Sequence, residues 1–280
     1  MAAQRTPPFR AAPGSSSTVG ADIGFSVTQP AVISLQLVAA NDDGSRLTAQ
    51  LDGRALPIQE VLGPEPYARQ HLVRSDPGML WINYQASVRP GSGEVAQVSE
   101  AERLLMQRPS RFCPCDRLIA YGASRLPGPD TDPLIRVQAI TDYVSDHLEY
   151  VLGSSGPTDD AVDVLLDGRG VCRDYAHVVV TLARAQGMAA RFVAVYAPGL
   201  QPMDFHAVAE IEVDGVWHVV DATRLAPRES LVRIATGRDA ADTAFATTLH
   251  GAADLVHLTV TAVADAGLPW DDGHAPTLLT

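Results

Sequence analysis

Cys172, His206 and Asp221 have the types and the order needed for nucleophilic thiol chemistry. Cys172 sits where a glycine-containing segment (GRG) enters CRDYAHVVVTLARAQG, a run with the pattern of a helix ended by Gly187 in the usual C-terminal position. A thiol at a helix N-terminus faces unpaired N–H groups and the positive end of the dipole, and both favour thiolate. Arg169 and Arg173 add positive charge nearby. A cysteine among apolar residues is equally a small buried hydrophobe, so position alone leaves both readings open.

A hairpin bears on that choice. FHAVAEIEV and VWHVVDAT read as strands joined by Asp214-Gly215, the strongest short hairpin signal in a sequence. With a two-residue loop, His206 falls opposite Thr223 and Asp221 opposite Val208. Residues 206, 208, 221 and 223 then share one side of the sheet, with His206 and Asp221 as diagonal neighbours. A carboxylate that holds an imidazole supplies two of the three parts of a nucleophilic triad. His218 falls on the opposite face from Asp221. His177, five residues beyond Cys172, lies roughly 140° around the helix and reads as a packing or surface histidine.

The elements that must position these residues follow from pattern and composition. The chain has 280 residues, 46% hydrophobic and 19% charged, with mean hydropathy +0.03, values of a soluble globular protein. Residues 1–20 read as a flexible leader, 21–98 as a β-rich domain of short strands split by NDDG, DPG and PGSG turns, 99–265 as an α+β core, and 266–280 as a loose tail. Within the core, SEAERLLMQ is a short helix, Pro133 to His147 a longer one, and AVDVLLDG a third. ARFVAVYA and the hairpin make an antiparallel meander. Net charge is −12, and all 21 basic residues are arginine, scattered through the chain; nucleic acid is therefore an unsuited partner. The 3 cysteines do not make a disulfide framework. No run has the length to span a bilayer, and the first residues lack the apolar segment of a signal peptide, so the expected location is cytoplasmic, with no membrane partner. Oligomeric state is not legible.

The blocks GVCRDYAH (170–177), DFHAVAEIEVDGVWHVVDATR (204–224), PSRFCPCD (109–116) and ATGRDAAD (235–242) closely resemble the bacterial transglutaminase-like proteins, a branch of the papain-like thiol enzymes. The resemblance spans about residues 25 to 263. It implies a papain-like core of helices packed on an antiparallel sheet behind an N-terminal β domain. Carried over residue by residue, nucleophile, base and orienting acid fall on Cys172, His206 and Asp221, in agreement with the hairpin register. Two positions depart from the family pattern: Ala222 where proline usually follows the aspartate, and Cys115 where serine is more usual. The resemblance implies no animal-type calcium sites, and neither a metal nor an organic cofactor is expected.

The reaction this implies is acyl transfer through a thioester from a peptide, protein or other amide, to water (protease or amidase) or to an amine (transglutaminase). The oxyanion is held by the Cys172 N–H and one further donor that the sequence does not name. Arg111 and Arg224 are candidates to bind a substrate carboxylate, against the alternative that each pairs with an acidic residue to dock parts of the chain. Gly237-Arg238-Asp239 reads as a turn, and Trp81 and Trp217 as core or interface residues. Loops 153–160 and 197–204 are expected to rim the site. Two other functions compete: a catalytically silent interaction module that keeps the fold, and a zinc or redox role that would need Cys113 and Cys115 to converge on Cys172.

Overall fold

In the computed structural model, which describes residues 16–42, 45–63, 69–89 and 97–279, the first half of the chain is organised by one long strand. The strands there are β1 (Ser17–Leu35), β2 (Arg46–Leu51), β3 (Arg54–Leu56), β4 (Ile58–Leu62), β5 (Arg69–Ser75) and β6 (Gly78–Val88). β1 pairs antiparallel with β6 along residues 17–27 and with β5 along 31–35. β2 and β3 continue the sheet beyond β6, and β4 continues it beyond β5. Val19, Ala21, Ile23, Phe25 and Val27 alternate into the core, as a one-sided sheet requires.

The helical part opens with α1 (Glu100–Met106), whose N-cap Ser99 accepts from the Glu102 N–H. It continues with α2 (Ile119–Arg125) and α3 (Pro133–His147). Asp132 caps α3, and Pro133 stands at its first turn. β7 (Glu149–Tyr150) follows, then α4 (Ala161–Asp167), β8 (Arg169–Gly170) and α5 (Cys172–Ala185). A second sheet, ordered β11-β10-β9-β12, comprises β9 (Ala190–Tyr196), β10 (Phe205–Val213), β11 (Val216–Val220) and β12 (Val232–Gly237). α6 (Ala240–Thr243) and β13 (Ala246–Ala264) complete the elements. α5 is the central helix: Val178, Val179 and Leu182 pack with Ile140 and Val144 of α3 and with Ala209, Ile211 and Val220 of the second sheet. Tyr196, Ile234 and Ala235 join the first sheet's core, and the Tyr196 hydroxyl donates to the Leu37 carbonyl at 2.8 Å. No helix among the described residues is long and apolar enough to cross a membrane.

Four expectations change. β1 begins at Ser17, inside the stretch assigned to a leader; residues 1–15 of that stretch lie outside the described residues. β13 runs antiparallel along the whole of β1, so 246–264 belongs to the first sheet rather than to the core. The tail is held: Asp271 accepts from the Arg228 guanidinium at 2.7 and 2.9 Å, the Thr277 carbonyl accepts from the Val219 N–H at 2.9 Å, and Leu279 is buried beside Val208 and Val219. Trp81 points away from the core, 42% exposed against His257, because its position in β6 has the opposite parity to Leu80 and Ile82. Trp217 is buried, as expected, and its indole N–H donates to Glu102.

Candidate active site

The hairpin that carries the base forms with a two-residue turn. Asp214 and Gly215 both adopt positive φ (52° and 82°), the signature that asparagine, aspartate and glycine meet at least cost. Ala209 pairs with Val220, the last rung of the ladder before Asp221, as a two-residue loop requires. On that register the His206 Nε2–H donates to Asp221 Oδ2 at 2.8 Å, both side chains being almost wholly buried. The second carboxylate oxygen accepts from the Thr223 N–H and hydroxyl at 2.9 and 2.7 Å. Asp221 is thereby fixed by the residue two positions on. Burial opposes charge on the ring, but the Asp221 carboxylate and the Cys172 thiol outweigh it and push the His206 pKa up to about 10. Burial likewise opposes the Asp221 charge, and His206 with the Thr223 donors outweighs it and holds that carboxyl below its ordinary value. His206 Nδ1, the other ring nitrogen, is buried with no such partner, and the Cys172 thiol acts on the same ring.

Cys172 is the first residue of α5 and partly exposed. Just before it, β8 pairs with β7 in a parallel ladder only two residues long, Tyr150 opposite Gly170. That pairing sets Tyr150 beside the start of α5, where its ring centroid lies 6.0 Å from that of Tyr175 and the Cys172 thiol acts electrostatically on its hydroxyl. Burial first, and the thiol next, push the Tyr150 pKa up to about 12, so at neutral pH the phenol is a donor. Nothing in the sequence pattern marks Tyr150, since two residues carry no strand periodicity. Ser155 and Gly156 of the loop after β7 hydrogen-bond to Arg173 and Asp174, beside Cys172. Asp204 acts electrostatically on Tyr150. Of the two loops expected to rim the site, 153–160 is thus bonded to residues next to Cys172.

Each of the two candidate arginines has a partner of its own. Arg224 ion-pairs with Asp142 on α3, as the docking alternative has it, and lines a cavity of about 190 Å³ with Asp221, Arg228 and Asp271. Arg111 lies over the Phe112 ring, 4.9 Å from its centroid. Cys113 and Cys115 direct their thiols at the carbonyls of His177 and Gln107, and no group of three metal-ligating side chains gathers among the described residues.

The blocks around 110 and 239 stitch the molecule to α5. Asp239 accepts the Phe112 N–H at 2.9 Å, and the Ala240 N–H donates to His177 Nε2 at 3.1 Å. Phe112 stacks on the His177 ring. Arg184 donates to the carbonyls of Arg108, Ala190 and Arg238. His177 is thus a fully buried packing histidine, and burial lowers its pKa from 6.5 to about 4. A ring kept neutral by folding contributes stability that is complete above pH 6.5 and is lost as pH falls through 4. We expect up to roughly 3 kcal/mol of that loss in urea unfolding between those limits. A His177→Gln variant should show a smaller pH dependence over the same interval; an equal one would remove His177 as its source.

Comparison with known proteins places residues 122–222 within the model of the transglutaminase-like superfamily, a span that holds Tyr150, Cys172, His206 and Asp221. The crystal structure of a candidate cysteine protease from Cytophaga hutchinsonii is similar over 95% of this chain and 96% of that one, with 28% identity and a TM-score of 0.83. A curated but uncharacterised protein of Mycobacterium leprae is 26% identical over 148 residues, 49% of this chain. The chain spans about half the length of that relative, 52%.

Proposed function

Because the chain carries a transglutaminase-like core, we propose that it transfers acyl groups through a thioester on Cys172. The observation that supports this most directly is the buried His206–Asp221 pair, which engages Nε2 and leaves Nδ1 of a ring on which the Cys172 thiol also acts. The Cys172 sulfur attacks the carbonyl carbon of an amide or ester, and the carbonyl π electrons move to oxygen. That oxyanion is met by the Cys172 N–H at the start of α5 and by the Tyr150 hydroxyl beside it. Collapse expels the amine or alcohol with a proton from His206, leaving the thioester. His206 then takes a proton from water or an amine, which attacks the thioester and releases the sulfur. Asp221 keeps the imidazole oriented and supports its charge throughout.

Alkylation mapped by peptide mass spectrometry tests the premise. Iodoacetamide at pH 6.5 should label Cys172 ahead of the other two thiols, because burial pushes Cys113 up to about 12 and raises Cys115 as well. Labelling of Cys172 no faster than that of Cys113 and Cys115, or only after denaturation, removes the catalytic reading.

A further inference from the structure

Tyr150 must be placed within fractions of an ångström to serve an oxyanion, yet its own element is too short to place it. The β7–β8 ladder contributes two backbone bonds near it, from the Glu149 N–H to Gly168 and from the Val151 N–H to Gly170. The loop that follows, Gly153-Ser154-Ser155-Gly156, offers no large apolar side chain as an anchor. What holds it is polar and comes from the residues next to Cys172. Asp174, with a fully buried side chain, accepts from four donors: the Val171 N–H at 2.9 Å, the Ser155 hydroxyl, and Arg173 Nε and Nη2 at 3.1 and 2.8 Å. Arg173 Nη2 also donates to the Gly156 carbonyl at 2.8 Å and to Ser155 Oγ at 3.2 Å. The backbone of β8 passes so close that a Cβ on Gly170 would lie 2.7 Å from the Asp174 Cβ, which accounts for glycine at that position.

We propose that Asp174, acting with Arg173, is a positioning residue that clamps the loop after Tyr150 to the start of α5 and so holds Tyr150 beside Cys172. This rests on the acyl-transfer reading above. The carboxylate has a double attachment. It caps the first turn of α5 through the Val171 N–H, and it ties down the loop through Ser155 and Arg173. Helix start and loop therefore move as one body, which keeps the two oxyanion donors, one from each, at a fixed separation. An ionised carboxylate is acceptor-only and suits four donors; an asparagine amide would turn its own N–H groups on two of them.

Two electrophiles separate positioning from general loss of structure. Iodoacetamide alkylates a thiolate by direct displacement at a saturated carbon and needs no oxyanion donors. p-Nitrophenyl acetate acylates it through a tetrahedral oxyanion and does need them. Asp174→Asn should lower the rate of Cys172 acylation on the order of a hundredfold, as removal of one oxyanion donor does, while alkylation stays within about threefold. Tyr150→Phe should match it. Ser155→Ala, which removes the loop's bond to Asp174 but leaves the helix cap and the Arg173–Gly156 bond intact, should show the same selectivity at about tenfold; it carries the test if Asp174→Asn fails to fold. Acylation at the wild-type rate in Ser155→Ala overturns the inference, and so does a parallel fall in both reactions. A wild-type protein that neither alkylates nor acylates at Cys172 overturns the acyl-transfer reading itself, which separates the two failures.

Discussion

Replacing His206 with alanine should slow iodoacetamide alkylation of Cys172 at pH 6.5 on the order of a hundredfold, because the thiolate is the reacting form and loses the imidazolium charge that favours it. The direction of the pH dependence follows from the ring. With Asp221 and Cys172 acting against burial, His206 holds its proton up to about pH 10. Its positive charge is therefore present beside the sulfur through the whole neutral range and disappears as pH rises through 10. The ratio of wild-type to variant rates should be largest at pH 6–7 and shrink towards one by pH 10. Folding stability carries the same sign: a ring whose pKa rises on folding contributes fully below 6.5 and loses that contribution through 10. Acyl transfer should suffer more than alkylation, because the ring also protonates the leaving group, a role worth about 10²–10⁴. Equal alkylation rates at every pH would mean that Cys172 draws nothing from His206.

How far the sequence carries depends on whether a signal is local. Asp214-Gly215 dictates a turn by backbone conformation alone, and the turn dictates register, so the His206–Asp221 pair is legible in the sequence. The helix after Gly170 was legible for the same reason, its start and stop being written in neighbouring residues. β13 was not. From Thr247 to His257 it is exposed except for the half-buried Ala252 and Ala253, so alternation is absent until Leu258, Val260 and Ala262 turn inward, and its partner is a strand more than 200 residues away. The tail reads as loose because its anchors, Asp271, Thr277 and Leu279, bind groups on β11, β12 and the segment between them that only the folded sheet brings near. Arg224 stood next to the orienting aspartate in sequence and so drew a substrate role, but its partner, Asp142, comes from α3. Tyr150 was invisible because its strand has two residues. Asp174 did leave a trace, as an acidic residue in the first turn of a helix, but the donors that make it more than a cap come from Ser155 and Arg173.

The second large effect lies away from the thiol, at Glu210 in the middle of the second sheet. Its side chain is essentially unexposed and accepts from Arg191 Nε at 2.7 Å and from Arg233 Nη1 and Nη2 at 3.0 and 2.7 Å. Burial penalises its charge, yet the two guanidinium groups hold its carboxyl down to about 2. Arg191 continues to Glu102 on α1, and Arg233 to the Leu279 carbonyl in the tail. One carboxylate thus joins β9, β10 and β12 and, through its partners, the helix and the tail that close the sheet. Glu210→Gln keeps the volume and removes the charge, leaving two buried guanidinium groups against a neutral amide. Breaking a buried ion pair from one side costs about 3–5 kcal/mol, so the variant should unfold at a Tm lower on the order of 10 °C. Arg103→Ala is the internal contrast: its pair with Glu212 at 3.1 Å has an arginine side chain 41% exposed, and such pairs are worth about 1 kcal/mol or less. Equal stability losses in the two variants would refute a central role for Glu210. If the network joins the sheet as described, Glu210→Gln should also loosen Leu279 and Thr277, and hydrogen exchange at the Val219 amide, which donates to Thr277, should rise in Glu210→Gln but not in Arg103→Ala.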